Sequence, residues 1–157
     1  LDGLADLRPE YMGTPYNHAC ALYDASKNTN LIQVGIRSMD QLEMEHLSKK
    51  KCFFMQDIHD NDVWMDRSIE LMGDQVYITL DLDVFDPSIL PGTGTPEPGG
   101  MKWYPMLTYL KKVFEKKEVL GFDIVELAPI EGLPASEFLV SKLYYKMLSY
   151  KFEHHGK

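Results

Sequence analysis

The sequence predicts an α/β fold, in which a mostly parallel sheet is covered by helices on both faces. Short β-branched segments alternate with amphipathic ones along the chain, and this alternation is typical of parallel strands joined by helices. Of the 157 residues, 45% are hydrophobic and 25% are charged, which suits a globular protein with its own core. Residues 1–157 are therefore expected to form a single domain.

The first half of the chain contains two predicted helices and two predicted strands. Ser38 and Gln41 have the spacing of a capping box, which marks the start of a helix. The basic residues before Cys52 suit the end of that helix, because cations there complement the helix dipole. The predicted elements are a short helix over residues 19–25, a strand over 31–36, a helix from Ser38 to about Lys51 and a strand over 52–55.

The second half contains three predicted helices and two predicted strands. Leu107, Leu110 and Phe114 follow one another at spacings of three and four, which is the pattern of an amphipathic helix. Gly73 is a suitable end for the helix before the central strand. The predicted elements are a helix from Asn61 or Asp62 to Leu71, a strand over 76–80, a helix over 103–117, a strand over 119–127 and a helix over 137–152.

Acidic side chains follow the predicted central strand. Asp81 and Asp83 are two residues apart, and on an extended backbone such side chains leave the same face. Two carboxylates so close repel each other unless a shared proton, a basic side chain or a metal ion lies between them. Residues 76–100 contain no basic residue. The pattern therefore favours a metal ion.

The segment DLDVFDPSILPGTGTPEPGG, residues 81–100, resembles the signature of the ureohydrolase superfamily, which includes arginase and agmatinase. The wording PGTGTPEPGG is most similar to the agmatinase branch. A calcium loop of the EF-hand type fits less well, because glycine is missing at its sixth position and Pro87 follows the third acid. A plain acidic strand end followed by a Pro/Gly turn is the other alternative. The resemblance implies an arginase-like three-layer fold.

Residues 1–8, LDGLADLR, are similar to the family motif DAHADLR. The resemblance implies a centre of two manganese ions with four aspartate ligands in this chain: Asp2, Asp6, Asp81 and Asp83. Leu4 stands where the motif has a ligand histidine, and leucine has no lone pair to offer a metal. A solvated chain terminus is the alternative reading of Asp2 and Asp6.

Two further residues match the family's active site. By resemblance, His18 belongs with Asp83 to the catalytic set and passes a proton to the leaving amine, for which an imidazole is well suited near neutral pH. Glu126 is implied to bind the guanidinium group, since a carboxylate can accept two parallel hydrogen bonds from it. A structural histidine and a surface glutamate are the plain alternatives. Residues Pro9–Asn17 are expected to read the far end of the substrate.

The resemblance covers almost all of this chain but only the later half of the family fold, so the fold is expected to lack its N-terminal part. The family's other ligand histidine comes from a GGDHS-like segment, which this sequence does not contain. Three hypotheses follow. The chain is an agmatinase-like ureohydrolase that converts agmatine to putrescine and urea; it is an inactive truncated homologue with a structural or partner-binding role; or it is an unrelated ligand-binding α/β module.

The composition of the chain limits the kinds of partner and the cellular compartment that are expected. The net charge of −8 argues against nucleic acid and anionic membranes and is compatible with a small cationic guanidinium substrate. Cys20 and Cys52 form no disulfide framework, which favours the cytoplasm. Strand edges left open by a missing half predict a homo-oligomer. His46 and His59 are expected to be surface or loop residues, and His154 and His155 are expected to belong to a frayed tail.

Overall fold

The computed structural model describes residues 1–153, and the predicted tail residues His154 and His155 lie outside them. The strands are β1 (Gln33–Ile36), β2 (Cys52–Phe54), β3 (Gln75–Asp81) and β4 (Glu118–Val125). The α-helices are α1 (Tyr23–Asn28), α2 (Met55–Ile58), α3 (Val63–Glu70), α4 (Trp103–Lys116) and α5 (Ala135–Glu153). Three short 3-10 helices are formed by His18–Cys20, Gln41–Glu45 and Leu82–Val84.

The strands form two parallel pairs, β1 with β2 and β3 with β4. The first residues of the chain lie between these pairs and join them. The terminal amino group of Leu1 donates to Thr79 O at 3.0 Å, and Asp81 N donates to Leu1 O at 2.9 Å. On the other side, Asp2 N donates to Val34 O at 3.0 Å. The spatial order is therefore β2, β1, residues 1–3, β3 and β4, which confirms the predicted α/β fold with parallel strands.

The larger core lies where β3 and β4 pack against α3, α4 and α5. Leu80 of β3, Leu110 of α4 and Leu143 of α5 have no exposed surface. Within this core the hydroxyl groups of Ser68 and Tyr109 form a buried hydrogen bond of 2.9 Å. A smaller core is formed by Ala5, Leu7, Ile36 and Cys52. These two clusters fix the carboxyl ends of the strands relative to one another.

The predicted helix from Ser38 to Lys51 is wrong. The capping box is formed instead by Asp40 and Glu43, and the segment Gln41–Glu45 makes only a 3-10 helix. Glu43 is buried, and its Oε1 also accepts a hydrogen bond from Leu7 N at 2.8 Å. Because this carboxylate is tied to the first segment of the chain, the turn is held against the sheet and does not continue as a surface helix.

The other differences concern boundaries. The first helix, predicted over residues 19–25, instead runs through Ser26 to Asn28, and the Ser26 hydroxyl donates to Tyr23 O within it. Met55 begins α2 rather than ending β2. The predicted helices around α3, α4 and α5 and the strands around β3 and β4 are present with ends shifted by one or two residues. None of the helices within residues 1–153 is long and apolar enough to cross a membrane.

Candidate metal centre

Three carboxylates meet at the carboxyl edge of the sheet. Asp2, Asp81 and Asp83 each offer one oxygen atom, and these atoms all lie within 4.8 Å of one another. The residues are only 5%, 8% and 3% exposed. Carboxylates buried this deeply need a proton, a cationic partner or a metal ion. The cluster is therefore the candidate metal-binding site among residues 1–153.

Backbone amides fix the direction of each carboxylate. Gly3 N donates to Asp83 Oδ1 at 2.8 Å, and Asp83 N donates to Asp81 Oδ1 at 2.9 Å. Leu4 N donates to Asp2 Oδ1 at 2.7 Å. Hydrogen bonds from N–H groups to a carboxylate favour its charged form and hold it in one orientation.

Asp81 and Asp83 come together by a different route from the one that the sequence suggests. Strand β3 ends at Asp81, and residues Leu82–Val84 turn into a 3-10 helix. The two side chains therefore do not leave the same face of one extended strand, as their spacing in the sequence suggested. Asp81 caps the turn, so the backbone folds back and brings Asp83 toward Gly3.

In the absence of a cation, Asp2 and Asp81 favour their protonated forms. Burial, together with the charges of Asp81 and Asp83, raises the pKa of Asp2 to about 9. Burial and the charge of Asp83 raise the pKa of Asp81 to about 8. A divalent cation between these oxygens would remove both the desolvation cost and the mutual repulsion. Protons and metal ions therefore compete for this site.

Asp6, the fourth predicted ligand, is half-buried and lies outside the group of three. Its backbone adopts a left-handed conformation with φ of 51°, and its carbonyl accepts a hydrogen bond from Leu22 N at 3.1 Å. Burial and the charge of Asp83 raise the pKa of Asp6 to about 6. The side chain is thus close enough to Asp83 to feel its charge, although it does not complete the cluster.

His18 and Glu126 are both exposed, and the charges of both act on Asp6. His18 opens a short 3-10 helix that Asn17 caps, and its ring makes an edge contact with Tyr11. Glu126 directly follows β4 with φ of 66°, a conformation that a non-glycine residue rarely adopts. The charge of His18 lowers the pKa of Asp6, whereas that of Glu126 raises it. Both side chains therefore border the same acidic region.

The Gly/Pro segment after the cluster is anchored by Asp86. Its Oδ2 accepts hydrogen bonds from Gly99 N at 3.0 Å and from Gly100 N at 3.1 Å. Phe85 and Met101 also form a parallel bridge. A side chain at Gly100 would lie 2.5 Å from the backbone of Phe85, so only glycine allows this approach. The loop is thus closed directly beside Asp83.

Two residues that sequence reasoning did not assign to the site support it. Glu43 links the first segment to the turn after β1, and Arg37 donates to backbone carbonyl groups around Asp83 and in the Gly/Pro loop. Arg37 directly follows β1 and so stands at the same sheet edge as the acids. That position after a strand was the signal available in the sequence.

The donor set fits a divalent cation that prefers oxygen ligands. Three buried carboxylates that converge without a basic side chain among them match the preferences of Mg²⁺, Ca²⁺ and Mn²⁺. Leu4, between Asp2 and Asp6 in the chain, supplies no donor. The converged residues offer three ligand atoms to one such ion, and Asp6, on which the charge of Asp83 acts, is a candidate to extend the centre.

The sequence of the chain is similar to known proteins of one family. The model of the arginase family matches residues 1–149. N(1)-aminopropylagmatine ureohydrolase of Synechocystis sp. is 36% identical over 154 residues, which are 96% of this chain and 50% of that protein. Agmatinase of Pyrococcus horikoshii is 33% identical over 132 residues, which are 82% of this chain and 46% of that protein.

The structural comparison finds the same family as the sequence comparison. The crystal structure of agmatine ureohydrolase of Thermoplasma volcanium superimposes with a TM-score of 0.84 at 30% identity, over 99% of this chain and 55% of that one. The chain thus spans about half the length of the relatives that it matches. The family match extends from the first aspartate of the cluster into α5, and on this basis the chain belongs to the arginase family.

Proposed function

We propose that this chain carries the metal-binding carboxylates of a ureohydrolase that releases urea from a small guanidinium compound. The observation that carries the proposal is the convergence of Asp2, Asp81 and Asp83 at one buried point of the sheet edge. The arginase family implies a binuclear centre, and we propose manganese as its metal because the resemblance of residues 1–8 and 81–100 to the ureohydrolases implies it and carboxylate donors are consistent with it. When bound, such ions lower the pKa of a water molecule and so supply a nucleophile near neutral pH.

The residues around the cluster suit the rest of the reaction. Exposed Glu126 would accept hydrogen bonds from the substrate's guanidinium group and fix its orientation. His18, which is also exposed, would donate a proton to the amine that leaves. Asp83 is held at both its backbone N–H and its carboxylate, which gives it one fixed direction. Residues 9–17 would contact the far end of the substrate.

Agmatine is the proposed substrate, and N1-aminopropylagmatine is an equally supported candidate. The relatives named for these two compounds are similarly related to the chain, with 33% and 36% identity. Both molecules present the same reacting group and a cationic chain. An acidic protein with a net charge of −8 favours the approach of such cations. We also propose a homo-oligomer in the cytoplasm.

The test measures urea released from each of the two substrates by the 157-residue chain with added Mn²⁺. Manganese binding is measured in parallel from the loss of the free-ion signal in electron paramagnetic resonance. Asp83→Asn removes a ligand charge and is expected to reduce both binding and turnover by at least about 100-fold. Asp74→Asn, a change at an exposed residue outside the cluster, is the control and should leave both unchanged.

A second candidate function has one specific observation in its favour. Leu4 supplies no ligand at a position between Asp2 and Asp6, which favours an inactive homologue with a structural or partner-binding role. The variant Leu4→His separates the two candidates. If neither the parent nor this variant binds Mn²⁺ and releases urea, the ureohydrolase proposal fails for this chain. If the variant alone is active, Leu4 accounts for the lost activity.

A further inference from the structure

The guanidinium group of Arg37 contacts two separate segments beside the acidic cluster. Nη2 donates to Asp83 O, to Phe85 O at 3.3 Å and to Glu97 O at 2.8 Å. Nε donates to Pro98 O at 3.2 Å. One segment contains Asp83 itself, and the other is the end of the Gly/Pro loop. A single half-buried side chain therefore ties the two together.

These contacts complete the fixation of Asp83. Its N–H is held by Asp81 Oδ1, its Oδ1 by Gly3 N and its carbonyl oxygen by Arg37. A residue held at three points has little freedom to turn its carboxylate away from Asp2 and Asp81. No side-chain contact with the carboxylate itself is needed for this effect.

The surroundings of Gly3 show how closely these groups meet. A Cβ atom on Gly3 would lie 2.8 Å from Arg37 Nη1 and 2.9 Å from Asp83 Oδ1. The guanidinium and the carboxylate thus both lie against Gly3, while the hydrogen bonds of the guanidinium go to carbonyl groups. The arrangement needs several N–H groups in one plane. Arginine provides them in a rigid fork, whereas lysine carries the same charge on a single flexible ammonium group.

We propose that Arg37 is a positioning residue for the metal centre, which it organises by joining Asp83 to the Gly/Pro loop through its guanidinium fork. The proposal rests on the function proposed above, since it concerns the same site. Its distinctive claim is that hydrogen-bond geometry, and not charge alone, is required at this position. The alternative is that Arg37 acts only as a countercharge for the acids.

The test compares Arg37→Met, Arg37→Lys and the control Arg67→Met in the 157-residue chain. Arg67 is exposed on α3 and has no part in the site, so its substitution removes the same charge elsewhere. We expect Arg37→Met to weaken Mn²⁺ binding by at least tenfold and Arg37→Lys to restore little of it. Full recovery in Arg37→Lys, or unchanged binding in Arg37→Met, would overturn the proposal.

A second measurement tests the positioning role of Arg37 even if the parent protein binds no manganese and the proposed function fails. Hydrogen exchange in the metal-free protein follows the amides of Gly99, Gly100 and Met101, which close the loop onto Asp86 and Val84. Both Arg37 variants should exchange these amides at least tenfold faster than Arg67→Met. Equal exchange in all three variants would contradict the positioning role. The unfolding midpoint of each variant confirms that the comparison is made on folded protein.

Discussion

At the scale of single residues, the site depends on acids that the chain forces together. Asp81 and Asp83 meet because β3 ends at the first of them and turns at once. Asp2 reaches them from the beginning of the chain, because residues 1–3 lie beside β3. Their burial raises the pKa values of Asp2 and Asp81 far above the usual range of aspartic acid. The protonation of these acids and the stability of the fold are therefore linked.

The pH dependence of stability is predicted to show this linkage in the metal-free protein. The pKa of Asp81 is about 8 in the folded chain against 3.8 for the unfolded reference. Because the folded state binds the proton more tightly, this group's stabilising contribution is complete below the unfolded pKa. It is lost as the pH rises toward 8. Asp81→Asn should flatten that decline in urea unfolding curves.

The difference between parent and variant is the quantity to measure. Burial lowers the pKa of the terminal amino group of Leu1, which adds a slope of opposite sign in both proteins. The charge of Asp81 raises the pKa of this amino group, so the measured difference contains the effect of Asp81 on Leu1 as well as the titration of Asp81. Added Mn²⁺ should reverse the decline in the parent and not in Asp81→Asn. Parallel stability curves for the two proteins between pH 4 and 8 would show that Asp81 does not titrate as stated.

At the scale of elements, the loop between the cluster and α4 and the packing of α4 itself hold the sheet edge in place. Asp86 closes the loop onto Gly99 and Gly100, and α4 presents a buried stripe to the larger core. Both features follow from local patterns, glycine at close approach and apolar spacing along a helix. Each can be disturbed without touching a carboxylate of the cluster.

Gly100→Ala is predicted to force the loop away from Phe85. The new Cβ would meet backbone atoms at 2.5 Å, and backbone cannot yield as a flexible side chain can. Relieving such a clash typically costs about 1–3 kcal/mol of stability. Gly73→Ala is the matched control, because its nearest neighbour is at 3.8 Å. Thermal unfolding and Mn²⁺ binding should both weaken in the first variant only, and equal behaviour of the two would refute the close approach.

Met106→Ala is predicted to destabilise the protein, because it shortens a side chain on the buried side of α4. Met106 has no exposed surface, and truncating a buried methionine to alanine usually costs about 2–5 kcal/mol. Tyr104→Ala on the same helix is the control, since Tyr104 is 77% exposed and should change stability by no more than about 0.5 kcal/mol. Chemical denaturation measures both. A cost in Met106→Ala as small as that of the control would mean that α4 does not pack as described.

At the scale of the whole molecule, apolar surface is left open on the side of β4 and α5. Phe138, Tyr145 and Phe152 are 73%, 71% and 59% exposed, and their spacing of seven puts them on one stripe of α5. A cavity of about 480 Å³ also lies between the first halves of β1 and β3, with Leu1 at its end. Exposed apolar surface of this kind favours association.

We therefore expect the 157-residue chain to associate with itself in a concentration-dependent manner. The double variant Phe138→Glu with Tyr145→Glu should lower the weight-average mass seen by light scattering, because charges on the stripe oppose its burial. Tyr104→Glu, at an exposed aromatic residue of α4, should leave the mass unchanged. A parent that stays monomeric at every concentration, or a double variant that associates equally well, would contradict the expectation.

Much of the fold could be predicted because its signals are local. Apolar spacing marked α4, β-branched runs marked β3 and β4, and the alternation of the two indicated parallel strands, as the structure confirms. The prediction failed at residues 38–51. The spacing of Ser38 and Gln41 predicted the start of a helix there, but the structure has a short 3-10 turn, which a hydrogen bond between Glu43 and Leu7 holds in place. That contact joins residues 36 positions apart, and no local pattern records it.

For the site, the sequence by itself determined which side chains are available and that acids follow the strands, since strand ends and residue types are local properties. The motif of residues 81–100 also determined the family, as the family match confirms. Only the tertiary structure decided that Asp6 lies outside the group formed by Asp2, Asp81 and Asp83, and that Arg37 ties the loop to Asp83. These contacts depend on the order and register of strands that are distant in the chain, and those are set by the packing of the whole sheet.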